Sequence, residues 1–156
     1  MEVLINYKYS IKNLDELPIS KLAHFVLSGQ DVPENTQVSV SFVTNEEIAN
    51  LNETYRKRQG PTDVLSFECD SIESAGWEQV SESDEPYCLG DIIIAPDVAL
   101  AQTKEFGTTF EQEINLLVVH GLLHLCGYDH IEEADARVME ALEDKLLNAW
   151  DAQGAR

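Results

Sequence analysis

Basic residues are scarce in this 156-residue chain. Lysine and arginine together number 10 against 29 aspartates and glutamates, which gives a formal net charge of −19 at pH 7. Non-specific binding of nucleic acid draws its affinity from lysine and arginine side chains at phosphates. The composition therefore argues against a broad nucleic-acid-binding face. Any contact with RNA would need a local basic cluster or a bound metal ion to overcome the acidic field.

Long apolar runs are missing as well. The longest, residues 114–126, contains Asn115 and two histidines and is well short of the ~20 residues that span a bilayer. The chain does not start with a charged segment followed by an apolar one, so no signal peptide is expected. These features predict a cytoplasmic protein without membrane contacts. The length predicts one domain over residues 1–156, large enough for a substantial core.

Cysteine is rare, with three residues at Cys69, Cys88 and Cys126. An odd number without a C-x-x-C spacing favours free thiols in a reducing compartment over a disulfide framework. Cys126 lies two residues after a histidine on a predicted helix. Its side chain should point to nearly the opposite side, which makes it a poor candidate for a metal ligand.

Three of the four histidines lie within eleven residues, at His120, His124 and His130. The first two are four residues apart, so on a helix their rings share one face. Gly127 offers the left-handed conformation that commonly ends a helix, and a turn there could bring His130 back towards the pair. Three imidazoles with one open position are typical of a catalytic zinc site, although imidazole also suits copper, nickel and iron. The pair alone could instead be two hydrogen-bonded core histidines.

The spacing matches the long zinc motif of one metalloprotease class except at one residue. Gly121 stands where those proteases carry their general-base glutamate, which argues against peptidase chemistry. The small residue is also expected to leave room for a bulky phosphate beside the metal.

Hydrophobic periodicity predicts strands and helices along the whole chain. Strands are predicted at residues 2–9, 37–44, 62–69 and 89–95, and helices at 19–27, from a cap at Asn45 to Gly60-Pro61, from about 97 to 106, at 114–125 after a cap at Thr108 or Thr109, and at 132–150. Residues 70–87 contain no lysine or arginine and are predicted to be an exposed excursion. The predicted core stripe of the last helix is Val138, Ala141, Leu142, Leu146 and Ala149.

Three of the ten basic residues stand side by side at Arg56, Lys57 and Arg58. Such a cluster could be the local basic site that any nucleic-acid role of this acidic chain would need. The alternative is a solvated helix end, because cations suit a helix C-terminus.

Three ordered blocks resemble the YbeY family of metal-dependent endoribonucleases. They are the histidine signature at 120–130, the block with Leu51-Asn52, Tyr55-Arg56 and residues 61–67 (PTDVLSF), and Leu89-Gly90-Asp91-Ile92. The resemblance implies that His120, His124 and His130 bind one metal ion per chain, usually zinc, and that Arg56 is the functional, catalytic arginine. It also implies a single α+β domain, with a small mixed sheet packed with about five helices and a zincin-like arrangement around the metal-site helix.

The implied function is single-strand-specific RNA cleavage in ribosomal RNA processing, especially small-subunit 3′-end maturation, and in ribosome quality control. The implied partners are precursor ribosomal RNA and the ribosome or a ribosomal protein, with no DNA and no membrane. The chain departs from the family at Arg58-Gln59, where Lys-Asp is frequent, and at Glu68, where proline is common. Two alternatives stay open: a ribosome assembly factor with a mainly structural metal, and a metal hydrolase acting on another class of substrate.

Overall fold

A computed structural model describes residues 1–69, 86–128 and 132–154. Within these ranges the chain forms one four-stranded sheet and five α-helices. The strands are β1 (Glu2–Tyr7), β2 (Thr36–Phe42), β3 (Val64–Glu68) and β4 (Tyr87–Ile94), and the helices are α1 (Ile19–Ser28), α2 (Asn45–Arg56), α3 (Pro96–Phe106), α4 (Phe110–Leu125) and α5 (Glu133–Gly154). None of the helices in the described part is long and apolar enough to cross a membrane. The predicted α+β class, with a small mixed sheet and about five helices, is confirmed.

The sheet has the order β1-β2-β4-β3. Strands β1, β2 and β4 run parallel, and β3 is antiparallel to β4 at one edge. Successive side chains of a strand point to opposite faces, so the predicted alternation of β2 divides its residues between an apolar and a polar face. Val40 and Phe42 are fully buried, whereas Ser39 faces the other way and donates a hydrogen bond to Asp91 on β4.

Helices α1 and α4 pack on the apolar face of the sheet, and α5 packs against these two helices. The main core joins their buried side chains to β2 and β4, where Ile92 and Ile94 are fully buried. Helix α4 is buried almost all round, as its composition predicts. A smaller core on the opposite face packs Ile48 of α2 against Leu65 of β3. The sheet thus gives α4 a rigid support and places α2 beside the edge strand.

Helix α2 begins and ends at different residues from those predicted. Thr44, not Asn45, is the N-cap, because its side chain accepts a hydrogen bond from the Glu47 amide. The helix ends before Gly60-Pro61, since Lys57 adopts a left-handed conformation with φ 58°. The carbonyl of Asn52 accepts from both the Lys57 and Arg58 amides and closes the turn.

The predicted core stripe of α5 was partly wrong. Val138 is 59% exposed and Ala141 and Ala149 are exposed, while Leu142 and Leu146 pack against the core as predicted. The buried face turns about one residue further round the helix. Its members are Met139, Leu142, Glu143, Leu146, Leu147 and Trp150. A polar residue, Glu143, lies in the middle of this face. Because the predicted stripe was chosen by hydrophobicity alone, the position of the buried face was not predicted correctly.

The prediction of three free thiols was wrong for two of the cysteines. Cys69, directly after β3, forms a disulfide with Cys88 of β4, and their Cα atoms are 5.5 Å apart. The two cysteines are 19 residues apart in the sequence, and they meet because β3 and β4 are antiparallel neighbours. Cys126 is a free thiol, as predicted. Most of the predicted excursion, residues 70–85, lies outside the described residues, and Tyr87 belongs to β4.

Candidate metal centre

Helix α4 carries two of the three predicted metal ligands. It starts with a complete capping box, in which the Thr109 side chain accepts from the Gln112 amide and the Gln112 side chain accepts from the Thr109 amide. This identifies Thr109 as the cap among the two predicted threonines. Both ends of the helix are therefore fixed by hydrogen bonds, and the ligand-bearing last turn stands on a rigid element.

The turn after α4 follows the prediction made for Gly127. This residue has φ 103°, in the region that favours glycine, and nothing lies within 4 Å of a Cβ built there. Its role is therefore conformational. The turn lets the Tyr128 amide donate to the Leu123 carbonyl over 3.0 Å, and the Tyr128 carbonyl then accepts a 3.1 Å hydrogen bond from Nδ1 of His124.

The rings of His120 and His124 lie together on one side of α4. Their centroids are 4.6 Å apart and their planes are inclined by 82°. Nδ1 of His120 is 2.5 Å from Oε1 of Glu143, which reaches across from α5. The fourth histidine, His24, is exposed on α1, away from this motif.

The hydrogen bonds of the pair define which nitrogen could bind a metal. Both partners, a carboxylate and a backbone carbonyl, are acceptors, so each Nδ1 carries the hydrogen. Metal binding by His120 and His124 would then use Nε2 of each ring. Neutral imidazoles held at Nδ1 by a carboxylate or carbonyl are the usual form of histidine ligands. This donor chemistry fits a transition metal such as zinc.

His130, the third predicted ligand, lies outside the described residues. Among the residues that are described, no group of three or more histidine, cysteine, aspartate or glutamate side chains could hold a metal ion. Cys126 packs against the main core, and burial raises the pKa of its thiol to about 12. Because a cysteine ligand must be a thiolate, this environment does not favour Cys126 as a ligand.

The space expected beside Gly121 is filled. A Cβ built at this position would lie 2.9 Å from Cγ2 of Ile92 and 3.1 Å from two further atoms of the same side chain. Gly121 thus allows α4 to approach the sheet closely and leaves no room for a phosphate on that side. A glutamate at this position would meet Ile92, which is fully buried in β4.

Arg56 lies at the end of α2, beside the edge strand β3. Its side chain is exposed, donates a 2.5 Å hydrogen bond from Nη2 to the Ser66 carbonyl, and stacks over the Phe67 ring at 5.4 Å. Asp63 and Cys69 lie directly before and after β3. The Cys69 amide donates to the Leu89 carbonyl, and the Asp63 carbonyl accepts from the Ala95 amide. The odd-numbered residues of this stretch therefore direct their backbone groups towards β4. The Ser66 carbonyl therefore points away from β4, towards the outer side of β3 in the described sheet, and accepts the hydrogen bond from Arg56.

The residues that follow Arg56 are held by Asn52. This side chain is buried and donates a 3.0 Å hydrogen bond from Nδ2 to the Gly60 carbonyl. Together with the two amides that its own carbonyl accepts, it fixes the turn containing Lys57 and Arg58. The basic cluster is thus an ordered turn with three exposed cations.

A close contact connects the edge strand with the end of α4. A Cβ built at Gly90 would lie 2.3 Å from the Phe67 carbonyl oxygen and 2.8 Å from Cδ2 of Leu125. Gly90 belongs to β4 and thus lies between Phe67 and Leu125. The Arg56 guanidinium stacks over the Phe67 ring, and Leu125 follows His124 directly. The arginine corner and the histidine pair are therefore connected through the same packed end of the sheet.

Two residues of the site were missed from the sequence. Glu143 gives no local signal, because its partner is 23 residues away on another helix. Asn52 stands within one of the recognised blocks, but an asparagine in a helix interior did not indicate by itself that it would fix a turn eight residues later.

The fold and the paired histidines define a class: an α+β protein whose buried central helix packs against the sheet and carries two adjacent histidines. A family model described as endoribonuclease YbeY matches residues 5–151. The chain belongs to the YbeY family of metal-dependent endoribonucleases, which confirms the predicted family and the predicted class of hydrolytic enzyme.

Similar proteins from several bacteria support this assignment. Endoribonuclease YbeY of Frankia alni is 38% identical over 151 residues, covering 97% of this chain and 83% of the relative. That of Macrococcus caseolyticus is 41% identical over 145 residues, covering 93% and 90%. The solution structure of TM1509 from Thermotoga maritima has the same fold, with a TM-score of 0.59 at 23% identity, and covers 98% of this chain and 93% of that one.

Proposed function

We propose that residues 1–156 form a single metal-dependent endoribonuclease domain that cleaves single-stranded RNA. In this proposal His120, His124 and His130 bind one zinc ion, and Arg56 is the catalytic arginine. The observation that carries the proposal is the helix-mounted histidine pair, in which each Nδ1 is held by an acceptor. Membership of an endoribonuclease family supplies the reaction class.

The reaction is hydrolysis of a phosphodiester. The oxygen of water forms a bond to phosphorus, one P–O ester bond breaks, and the leaving oxygen takes up a proton. A zinc ion, when bound, supplies a Lewis acid that lowers the pKa of water towards neutrality, so that hydroxide is available as the nucleophile. The three histidines would hold the ion, and the Nδ1 hydrogen bonds of His120 and His124 keep these two rings in one orientation.

The contribution of Arg56 is electrostatic. Its guanidinium is charged at any working pH and offers several donors in a planar fork. Only its Nη2 contact with Ser66 is a hydrogen bond to protein among the described residues, so further N–H groups remain for a phosphate. In the transition state, where negative charge on the phosphoryl oxygens increases, these donors stabilise that charge.

The acidic surface limits how the substrate is recognised. A net charge of −19 disfavours non-specific RNA binding. The ordered turn of Arg56, Lys57 and Arg58, with the resident cation, would supply the local positive field. This charge distribution favours a substrate that another molecule holds against the site. We propose that the substrate is precursor ribosomal RNA at the small-subunit 3′ end, and that the protein acts in ribosome maturation and quality control in the cytoplasm. The ribosome or a ribosomal protein would then supply much of the binding energy.

Peptidase chemistry is disfavoured by the packing of α4. The position of the general-base glutamate in the related protease motif is Gly121, and its Cβ direction is blocked by Ile92. A glutamate at this position would therefore require the Ile92 side chain to shift.

The decisive experiment combines elemental analysis with cleavage of a structured RNA. We expect about one zinc per chain, cleavage in single-stranded segments, loss of cleavage with a chelator, and recovery on adding zinc. Cleavage that continues at full rate in metal-free protein would overturn the proposal. A loaded protein that never cleaves RNA, even when bound to a small subunit, would favour an assembly factor with a structural metal.

A further inference from the structure

The two histidines of α4 differ in what holds their outer nitrogen. His124 donates to the carbonyl of Tyr128, a backbone group of its own turn. His120 is held by Glu143, a side chain of α5 that is 23 residues away in the sequence. The first contact forms whenever α4 and its turn form, whereas the second also requires α5 to dock correctly.

Glu143 is an unusual residue for its position. Its side chain is only 9% exposed, on the face of α5 that packs against the main core beside Met139. Burying a carboxylate is unfavourable unless it is hydrogen-bonded or paired. Among the residues that the structure describes, the contact with Nδ1 of His120 is the one hydrogen bond of this carboxylate. The location of Glu143 is thus explained by His120 and not by packing.

We infer that Glu143 is a positioning residue that orients His120 for metal binding and couples the docking of α5 to the metal centre. By accepting the Nδ1 hydrogen, the carboxylate fixes the tautomer and the ring plane, directs Nε2 away from α5 and makes it more basic. This inference rests on the proposed metal site. It adds that α5, which contributes no ligand of its own among the described residues, controls the affinity of that site.

The test compares zinc affinity of three variants with that of the wild-type protein. Competition with a colorimetric chelator gives the Kd for Zn²⁺, and the visible spectrum of the Co²⁺-loaded protein reports ligand geometry. Removal of such an outer partner typically weakens metal binding roughly ten- to a hundredfold. We expect Glu143→Ala to lose affinity in this range and to change the cobalt spectrum. Glu143→Gln keeps an acceptor but no charge and should fall between Glu143→Ala and the wild type.

The matched control is Glu140→Gln, which makes the same chemical change at an exposed position of the same helix. It should leave the Kd and the cobalt spectrum unchanged. A thermal melt of each metal-free variant checks the fold, and Glu143→Gln, which preserves side-chain volume, keeps the test valid should Glu143→Ala unfold.

A second readout follows the coupling directly. Zinc should slow amide hydrogen exchange in α5 around residues 139–147 in the wild type, and this added protection should disappear in Glu143→Ala. If wild-type protein binds zinc but folded Glu143→Gln and Glu143→Ala bind it within twofold of wild type, the inference fails and the proposed function stands. If wild-type protein binds no zinc, both fail.

Discussion

The histidine side and the arginine side of this molecule are built in different ways. On the histidine side, two half-buried rings are fixed by hydrogen bonds to a backbone turn and to a buried carboxylate. On the arginine side, an exposed side chain rests on the edge of β3 through one hydrogen bond and one ring contact. The first arrangement favours a fixed geometry, and the second leaves a charge accessible to a ligand. The two sides should therefore fail separately when they are mutated.

The largest expected effect is the loss of the metal in His124→Ala. With one of three proposed ligands removed, metal content should fall from about one ion per chain to near zero, and RNA cleavage should stop. Elemental analysis after dialysis measures the first result. His24→Ala, which removes the exposed histidine of α1, is the control and should retain both metal and activity. A fully loaded His124→Ala protein would remove this residue from the ligand set.

Arg56→Ala should separate the two sides most clearly. We expect the metal content to stay at the wild-type level while the cleavage rate falls roughly 10²–10³-fold, the usual cost of losing a transition-state donor. Arg56→Lys should recover part of the rate, since lysine restores charge but not the planar fork. Arg137→Ala, on the exposed side of α5, controls for the change in net charge. Unchanged cleavage in Arg56→Ala would show that this residue has no part in the reaction.

Asn52→Ala tests whether the basic turn needs its internal support. Loss of the Nδ2 hydrogen bond leaves the Gly60 carbonyl without this partner and should lower the free energy of unfolding by about 1–3 kcal/mol. Asn50→Ala, exposed on the same helix, should change it by less than about 0.5 kcal/mol. Urea unfolding of both variants measures the difference, and equal stabilities would mean that the turn is held by its backbone alone.

The smallest effect is expected for Gly121→Ala, on the sheet-facing side of α4. Overpacking against Ile92 costs about 1–3 kcal/mol, offset by about 0.5–1 kcal/mol from the better helix propensity of alanine. The net result should be a loss of about 1 kcal/mol. In an Ile92→Ala background the same substitution should become neutral or stabilising, and a double-mutant cycle measures this coupling. Additive effects would contradict the contact.

The sequence predicted best what depends on neighbours along one helix. His120 and His124 share a face because they are four residues apart. Gly127 adopts the left-handed conformation that a glycine after a helix predicts. Strand β2 was recognisable from its alternation and β4 from its continuous apolar run. In each case the physical cause acts within one turn or one strand, so a short stretch of sequence contains it.

Contacts between distant elements could not be predicted in this way. Glu143 lies on the buried face of α5 because its partner is on α4, and hydrophobic patterning treats a glutamate as a surface residue. Cys69 and Cys88 meet because β3 turns back beside β4. Lys57 takes a left-handed conformation because Asn52 closes the turn before Gly60. All three depend on tertiary packing that overrides local preference.

The place of β3 at the edge of the described sheet has a consequence beyond catalysis. Unpaired backbone groups at a sheet edge can accept a strand from another molecule, and charged side chains commonly prevent this. Arg56 donates a hydrogen bond to the Ser66 carbonyl and places a cation on that edge. An arginine that serves the substrate would therefore also keep two copies of the chain from joining sheet to sheet.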